Sequence, residues 1–224
     1  MPKKKAISIV VALLLAGGYW VLENTDLKLP KIGKGGQSNK VVPAGKEQAG
    51  EYERLTGCAL IEHRSNDGDS FHVRHGNDEH EFRLYFVDAP ESSYKTYRGG
   101  DNNGARLGHQ GRYFGGLSIE QTTAIGTEAK KFTASLLKGR PFAVYTKWQP
   151  VFDSGRSYCF VELPDSATGE RFLSEQLVAQ GLARIYTEGA ATPDGSSRRK
   201  QEDKLKTIER SARGGKVGAW RFSR

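Results

Sequence analysis

Residues 67–91 read DGDSFHVRHGNDEHEFRLYFVDAPE, and the fold is decided there. Asp67-Gly68-Asp69 is a turn, and a strand-like run follows from Ser70 to Arg74. His75-Gly76-Asn77-Asp78 supplies turn residues, and a second run extends from His80 to Val87. In that run Phe82, Leu84 and Phe86 alternate with Arg83, Tyr85 and Val87, so period two puts the former on a core face and Arg83 on the other. The run stops at Asp88-Ala89-Pro90-Glu91. Pairing the runs as a hairpin brings Asp69 and Asp88 to one end of the sheet, with Arg83 one strand away and Glu91 just beyond. Like charges held that close repel, and a hard divalent cation with oxygen ligands is the natural compensation.

DGDS followed by RLYFVDAPE resembles the signature of the staphylococcal (thermonuclease) nuclease family. Further segments agree in order and spacing: Gly126-Thr127-Glu128-Ala129, Asp153-Ser154-Gly155-Arg156, Leu177 to Ala183, and Trp220 near the end. The resemblance covers roughly residues 56 to 222. It implies an α+β, mainly β fold: a five-stranded OB-type barrel with about three helices. It implies Ca2+ held by Asp69, Asp88 and the backbone carbonyl of Ala89, where the family often has Thr. It also implies Arg83 and Arg156 as phosphate-binding arginines and Glu91 at the place of the proposed general base. A guanidinium offers phosphate a planar fork that lysine cannot copy. The activity implied is hydrolysis of DNA and RNA with little sequence specificity, leaving 3′-phosphate ends.

The chain departs from the family at two points. Ser154 stands where a Lys-Tyr pair usually precedes Gly-Arg, and Tyr186 matches a second family tyrosine only after a one-residue slip. Nucleotide contacts, and so base preference, stay open. No zinc-finger, P-loop or Ser/His/Asp pattern competes. Two other readings remain: a catalytically inactive OB module that binds nucleic acid or protein, and a tethered surface adhesion or structural protein. The full set Asp69, Arg83, Asp88, Glu91 and Arg156 argues against the first, and only the N-terminal segment supports the second.

The 224 residues suffice for one domain with a tail. The formal charge of +8 is uneven: residues 1–50 carry 8 lysines against 3 acids, and residues 198–224 carry 10 basic residues against 3 acids. The middle, 51–197, has 16 basic and 20 acidic residues, a net of −4. Net basicity alone is therefore weak support for nucleic-acid binding, whereas an acidic middle beside a basic C-terminal segment suits a cation site near a phosphate-attracting surface.

Lys3-Lys4-Lys5 precedes an apolar run from Ala6 to Leu22. This is an export signal, either a cleaved signal peptide or a membrane anchor spanning 1–22, and it places the domain outside the cytoplasm. Seventeen residues at 1.5 Å each reach about 25 Å, short of a full bilayer, while Ala16-Gly17-Gly18 offers small residues but no A-x-A site. Residues 23–52 read as a flexible linker and 53–224 as the nuclease-like domain, expected to be a monomer.

Within the domain, Cys58 to Ile61 reads as the first strand, Phe142 to Trp148 and Tyr158 to Leu163 as later ones. Helices are expected over about 128–137, 171–180 and 198–213, with a possible short helix at the Ser118-Ile119-Glu120-Gln121 capping box. Residues 92–125 read as a long loop, in which Arg98, Arg106, His109, Arg112, Tyr113 and Phe114 can cover the cleft and touch nucleic acid, or form a plain surface insertion. His109 is not placed in the site. Cys58 and Cys159 are expected on strands that do not pair, too far apart for a disulfide.

Overall fold

The structure, a computed structural model, describes residues 42–163 and 169–223. The apolar segment 1–22 and most of the expected linker lie outside the described residues. Among the described residues no helix is long and apolar enough to cross a membrane. The elements in chain order are β1 (Gly45–Ala49), β2 (Tyr52–Leu60), β3 (Ser70–His75), β4 (Asp78–Leu84) and β5 (Val87–Asp88). Then come α1 (Gly104–Tyr113), α2 (Ile119–Leu137), β6 (Phe142–Pro150), β7 (Ser157–Glu162), α3 (Leu173–Ala179), β8 (Arg184–Ile185) and α4 (Arg198–Gly214). A 3-10 turn, Gly218–Phe222, follows.

Strands β2, β3, β4, β7 and β6 pair in that order, and β6 returns to β2, which closes a five-stranded barrel. All pairings are antiparallel except β4 with β7. The barrel interior is filled by Phe71, Val73, Phe82, Leu84, Val144 and Val161, all essentially inaccessible to water. The β3–β4 hairpin turns through Gly76-Asn77, with Gly76 in the left-handed region at φ +60°. Its register sets Ser70 opposite Arg83, so the turn residues fix which side chains meet at the far end of the hairpin.

Several expectations need correction. Gly45–Ala49, assigned to the linker, is an edge strand paired with β2, and Tyr52 is buried. Its sequence, GKEQA, has no apolar alternation to betray it, which is how a charged edge strand avoids offering itself for aggregation. The run 80–87 is not one strand: β4 ends at Leu84, and Phe86 takes φ +70°. There the chain leaves the barrel, and β5 pairs with β8, Asp88 opposite Arg184. Only the end of β4, Phe82 to Leu84, is buried on both faces, and Arg83 is there only 8% exposed. Finally, residues 92–125 are no continuous loop. They hold α1 and the start of α2, which makes four α-helices among the described residues where about three were expected.

The two separate helices read around 118 and 128–137 are one, α2, opened by the Ser118–Gln121 capping box. This helix floors the site. A Cβ on Gly126 would stand 2.4 Å from the carbonyl oxygens of Pro90 and Glu91, and one on Gly68 would stand 2.7 Å from the Ala129 Cβ. Thr133 Oγ1 also donates to the Gly68 carbonyl at 2.7 Å. The two glycines therefore let the Asp67–Asp69 turn and the Pro90–Glu91 segment lie directly on the helix. Cys58 and Cys159 are buried and free, on β2 and β7 with β6 between them, and burial pushes the Cys58 thiol up to about 12.

Candidate active site

Asp69 stands at the entry to β3, and its backbone carbonyl accepts from the Leu84 N–H at 2.9 Å, one step beyond the Ser70–Arg83 pair. The bend at Phe86 carries the chain back so that the Ala89 N–H donates to Asp69 Oδ2 at 2.6 Å. Asp69 and Asp88 are each 1% exposed. Arg83 lies between them: Nη2 donates to Asp88 Oδ1 at 2.8 Å, and Nη1 lies 3.3 Å from Asp69 Oδ1. Ser70 Oγ donates to Asp69 Oδ1 at 2.9 Å and accepts from Arg83 Nη1 at 3.3 Å.

Arg156 reaches the same hydroxyl. Its Nη1 is 3.3 Å from Ser70 Oγ, and its Nε donates to Ser154 Oγ at 3.1 Å. Ser154, the departure from the family pattern, thus helps aim the arginine that follows it. Glu91 joins the cluster through Arg106, whose Nε donates to Glu91 Oε1 at 2.9 Å while its Nη2 donates to Asp88 Oδ1 at 2.7 Å. All six residues expected from the sequence are therefore brought to one place, with Arg156 linked through Ser70 and Glu91 through Arg106.

Two further residues complete it. Gln110, fully buried on α1, donates through Nε2 to Asp88 Oδ2 at 2.9 Å and to the Ala89 carbonyl at 3.1 Å. Its Oε1 accepts from the Glu91 N–H at 3.1 Å. Arg184, 2% exposed on β8, donates from Nε to Asp88 Oδ2 at 2.8 Å. Its Nη1 lies 2.8 Å from Nδ1 of His109, and its guanidinium stacks 3.8 Å from the ring centre of the exposed Tyr186. His109 therefore supports Arg184 and has no contact with the carboxylates. Arg184 sits at the end of the apolar Leu182-Ala183 pair, where an inward-facing arginine was the available clue. Gln110 left none.

The charges settle unequally. Burial pushes Asp67 well above the usual carboxylate range, and the adjacent Asp69 adds to the rise. Asp69 is also raised: burial leads, Asp88 contributes, and Arg83 only partly offsets them. For Asp88 burial acts the same way, but Arg106, Gln110, Arg184 and Arg83 together outweigh it and hold the carboxyl below its ordinary value. One carboxylate is thus saturated by donors while its neighbour remains short of positive charge.

A family model described as staphylococcal nuclease homologue matches residues 81–222, well over half of the chain. The chain belongs to the staphylococcal nuclease homologue family. No curated protein matches it. The matched span takes in Arg83, Asp88, Ala89, Glu91 and Arg156, while Asp69 lies just ahead of it. Membership brings a nuclease-type fold and, typically for the family, dependence on calcium. Among the described residues no three His, Cys, Asp or Glu side chains cluster as a metal site. The set available is two carboxylates and a carbonyl. Asp69 Oδ2 accepts the Ala89 N–H, and Gln110 Nε2 bridges the Asp88 carboxylate and the Ala89 carbonyl, so both carboxylates and the carbonyl lie about the backbone of the one residue Ala89. Oxygen-only donors at one point fit a hard divalent cation.

Proposed function

We propose that this chain is a Ca2+-dependent nuclease that hydrolyses phosphodiester bonds of DNA and RNA with little sequence specificity and leaves 3′-phosphate ends. The observation that carries the reading is the meeting of Arg83 and Arg156 at Ser70 Oγ, beside the Asp69–Asp88 pair. Two guanidinium forks at one edge of a buried acidic pair suit a phosphodiester better than any neutral substrate. Bound by Asp69, Asp88 and the Ala89 carbonyl, Ca2+ would engage a phosphate oxygen and draw negative charge from it. Arg83 and Arg156 hold the other non-bridging oxygen, and their grip tightens as charge builds in the transition state. Glu91, half-buried at the rim, orients the attacking water and accepts its proton. The bond to the 5′-oxygen breaks and that oxygen takes a proton from solvent water, so the products are a 3′-phosphate and a 5′-hydroxyl.

The test is cleavage of DNA and RNA by the whole chain in Ca2+ and then in excess EGTA. Cleavage is expected only with Ca2+, and phosphatase should release phosphate from the 3′ ends. Undiminished activity in EGTA would sink the metal requirement. A second reading, a module that binds nucleic acid without cutting it, is favoured by the saturation of Asp88 with four donors. Binding without cleavage in the same assay would establish it.

We also place the activity outside the cytoplasm, tethered by or released from the Ala6–Leu22 segment behind Lys3-Lys4-Lys5. Cell fractionation should find it in the membrane or exported fractions. Activity wholly in the cytosol would refute this.

A further inference from the structure

Asp88 Oδ1 accepts from Arg83 and Arg106, and Oδ2 accepts from Gln110 and Arg184. Two carboxylate oxygens offer about four lone-pair sites, so all are used. A cation on Asp88 needs one of them. Three of the four donors cannot leave cheaply. The side chains of Arg83 and Arg184 are only 10% and 2% exposed, and Gln110 is fully buried. Withdrawing any of these three strands a buried charge or amide without a partner. Arg106 differs. Its side chain is 44% exposed, so water can receive the guanidinium when it lets go.

We propose that Arg106 is an exchangeable counter-ion: it bridges Asp88 Oδ1 and Glu91 Oε1 in the cation-free protein and gives up its Asp88 contact when a divalent cation binds. The inference rests on the reading that Asp69 and Asp88 hold that cation. Release does two things. It frees the oxygen the cation needs, and it leaves a mobile guanidinium at the mouth of the site, where a phosphate arrives. The α1 segment, which looks like an insertion in the sequence, thereby becomes part of the cation's binding equilibrium. Guanidinium and cation compete for one oxygen, so removing Arg106 must tighten cation binding, whereas loss of a merely structural contact would weaken it.

Lys95 provides the control. Its Nζ lies 3.8 Å from Glu91 Oε2, and no contact with Asp88 is made. Lys95→Gln removes the same unit charge from the same neighbourhood without freeing the oxygen.

The experiment is calorimetric titration of the whole chain with CaCl2, without nucleic acid, at low and fixed ionic strength. Arg106→Gln is expected to lower the Kd for Ca2+ by about tenfold or more, equivalent to about 1.4 kcal/mol. Lys95→Gln should change it by less than about threefold, and adding Asp69→Asn to Arg106→Gln should abolish the binding. Binding by Arg106→Gln where the unaltered chain shows none supports the proposal equally. If Arg106→Gln binds no tighter, or Lys95→Gln tightens binding as much, the exchange is overturned while the cation reading stands. If neither the unaltered chain nor Arg106→Gln binds Ca2+ at millimolar concentration, both fail. Circular dichroism of each variant distinguishes loss of binding from loss of fold.

Discussion

Replacing Arg156 with lysine lowers kcat by about 10² or more and changes KM by only a few-fold. Lysine keeps the positive charge but loses the fork, so substrate attraction largely survives and the paired hydrogen bonds to a crowded phosphoryl centre do not. Arg156 is the better probe of the two arginines. It is half-buried and, among the described residues, held by Ser70 Oγ and Ser154 Oγ, neither of them charged, so its loss strands no buried carboxylate there. Arg83 should show a fall in kcat of similar size, but Arg83→Lys also weakens the link between Asp69 and Asp88 and should lower stability. Steady-state kinetics on single-stranded DNA in saturating Ca2+ separates the two cases. A near-normal kcat for Arg156→Lys would show that charge alone suffices and that the bidentate argument is wrong.

The parts of this site that a reader of the sequence can find are those built by local rules. The β3–β4 hairpin follows from alternation and a Gly-Asn turn, and its register alone sets Ser70 against Arg83 and brings Asp69 beside Leu84. The capping box at Ser118 shows the start of α2 for the same reason. What is not local is not legible. Helix α1, GARLGHQGRY, contains three glycines in ten residues, which argues against a helix on propensity. Yet a Cβ on Gly111 would lie 2.6 Å from the Leu117 carbonyl oxygen, so the residue that weakens the helix alone is what allows it to dock on α2. Only that docking brings Arg106 and Gln110 to Asp88. Likewise, alternation runs smoothly through Phe86, and nothing in it announces the left-handed turn that swings Asp88 out of the barrel and against Arg184. The family resemblance named six residues that the fold brings near one another, but it could not name the chain's own additions to them.

Asp88→Ala should cost the most in stability, on the order of 3–5 kcal/mol, because it removes the shared partner of several buried donors. Arg184 would keep only His109 and the Tyr186 ring, and Gln110 only the Ala89 carbonyl and the Glu91 N–H. Arg83 would keep Asp69, and Arg106 would keep Glu91. Asp88→Asn should cost less, since one amide oxygen still accepts, but its NH2 must then face donors and the negative charge is gone. Asp69→Asn should cost least and weaken cation binding more than folding. Burial already raises that carboxyl, so an uncharged amide relieves part of the penalty. The pH dependence separates these variants further. The folded pKa of Asp88 lies below its ordinary 3.8, so its contribution to stability is present above about pH 4 and is lost as pH falls through the folded value. Asp67 and Asp69, with raised values, act in the opposite sense: their ionisation costs stability as pH rises from 3.8 through their folded values. Urea unfolding between pH 3 and pH 7 is the measurement. The unaltered chain should lose stability at the acid end relative to Asp88→Asn, and the two curves should converge there. If Asp88→Asn instead stays less stable by a constant amount across the range, the carboxylate's charge does not hold the three arginines in place, and shape alone accounts for the cluster.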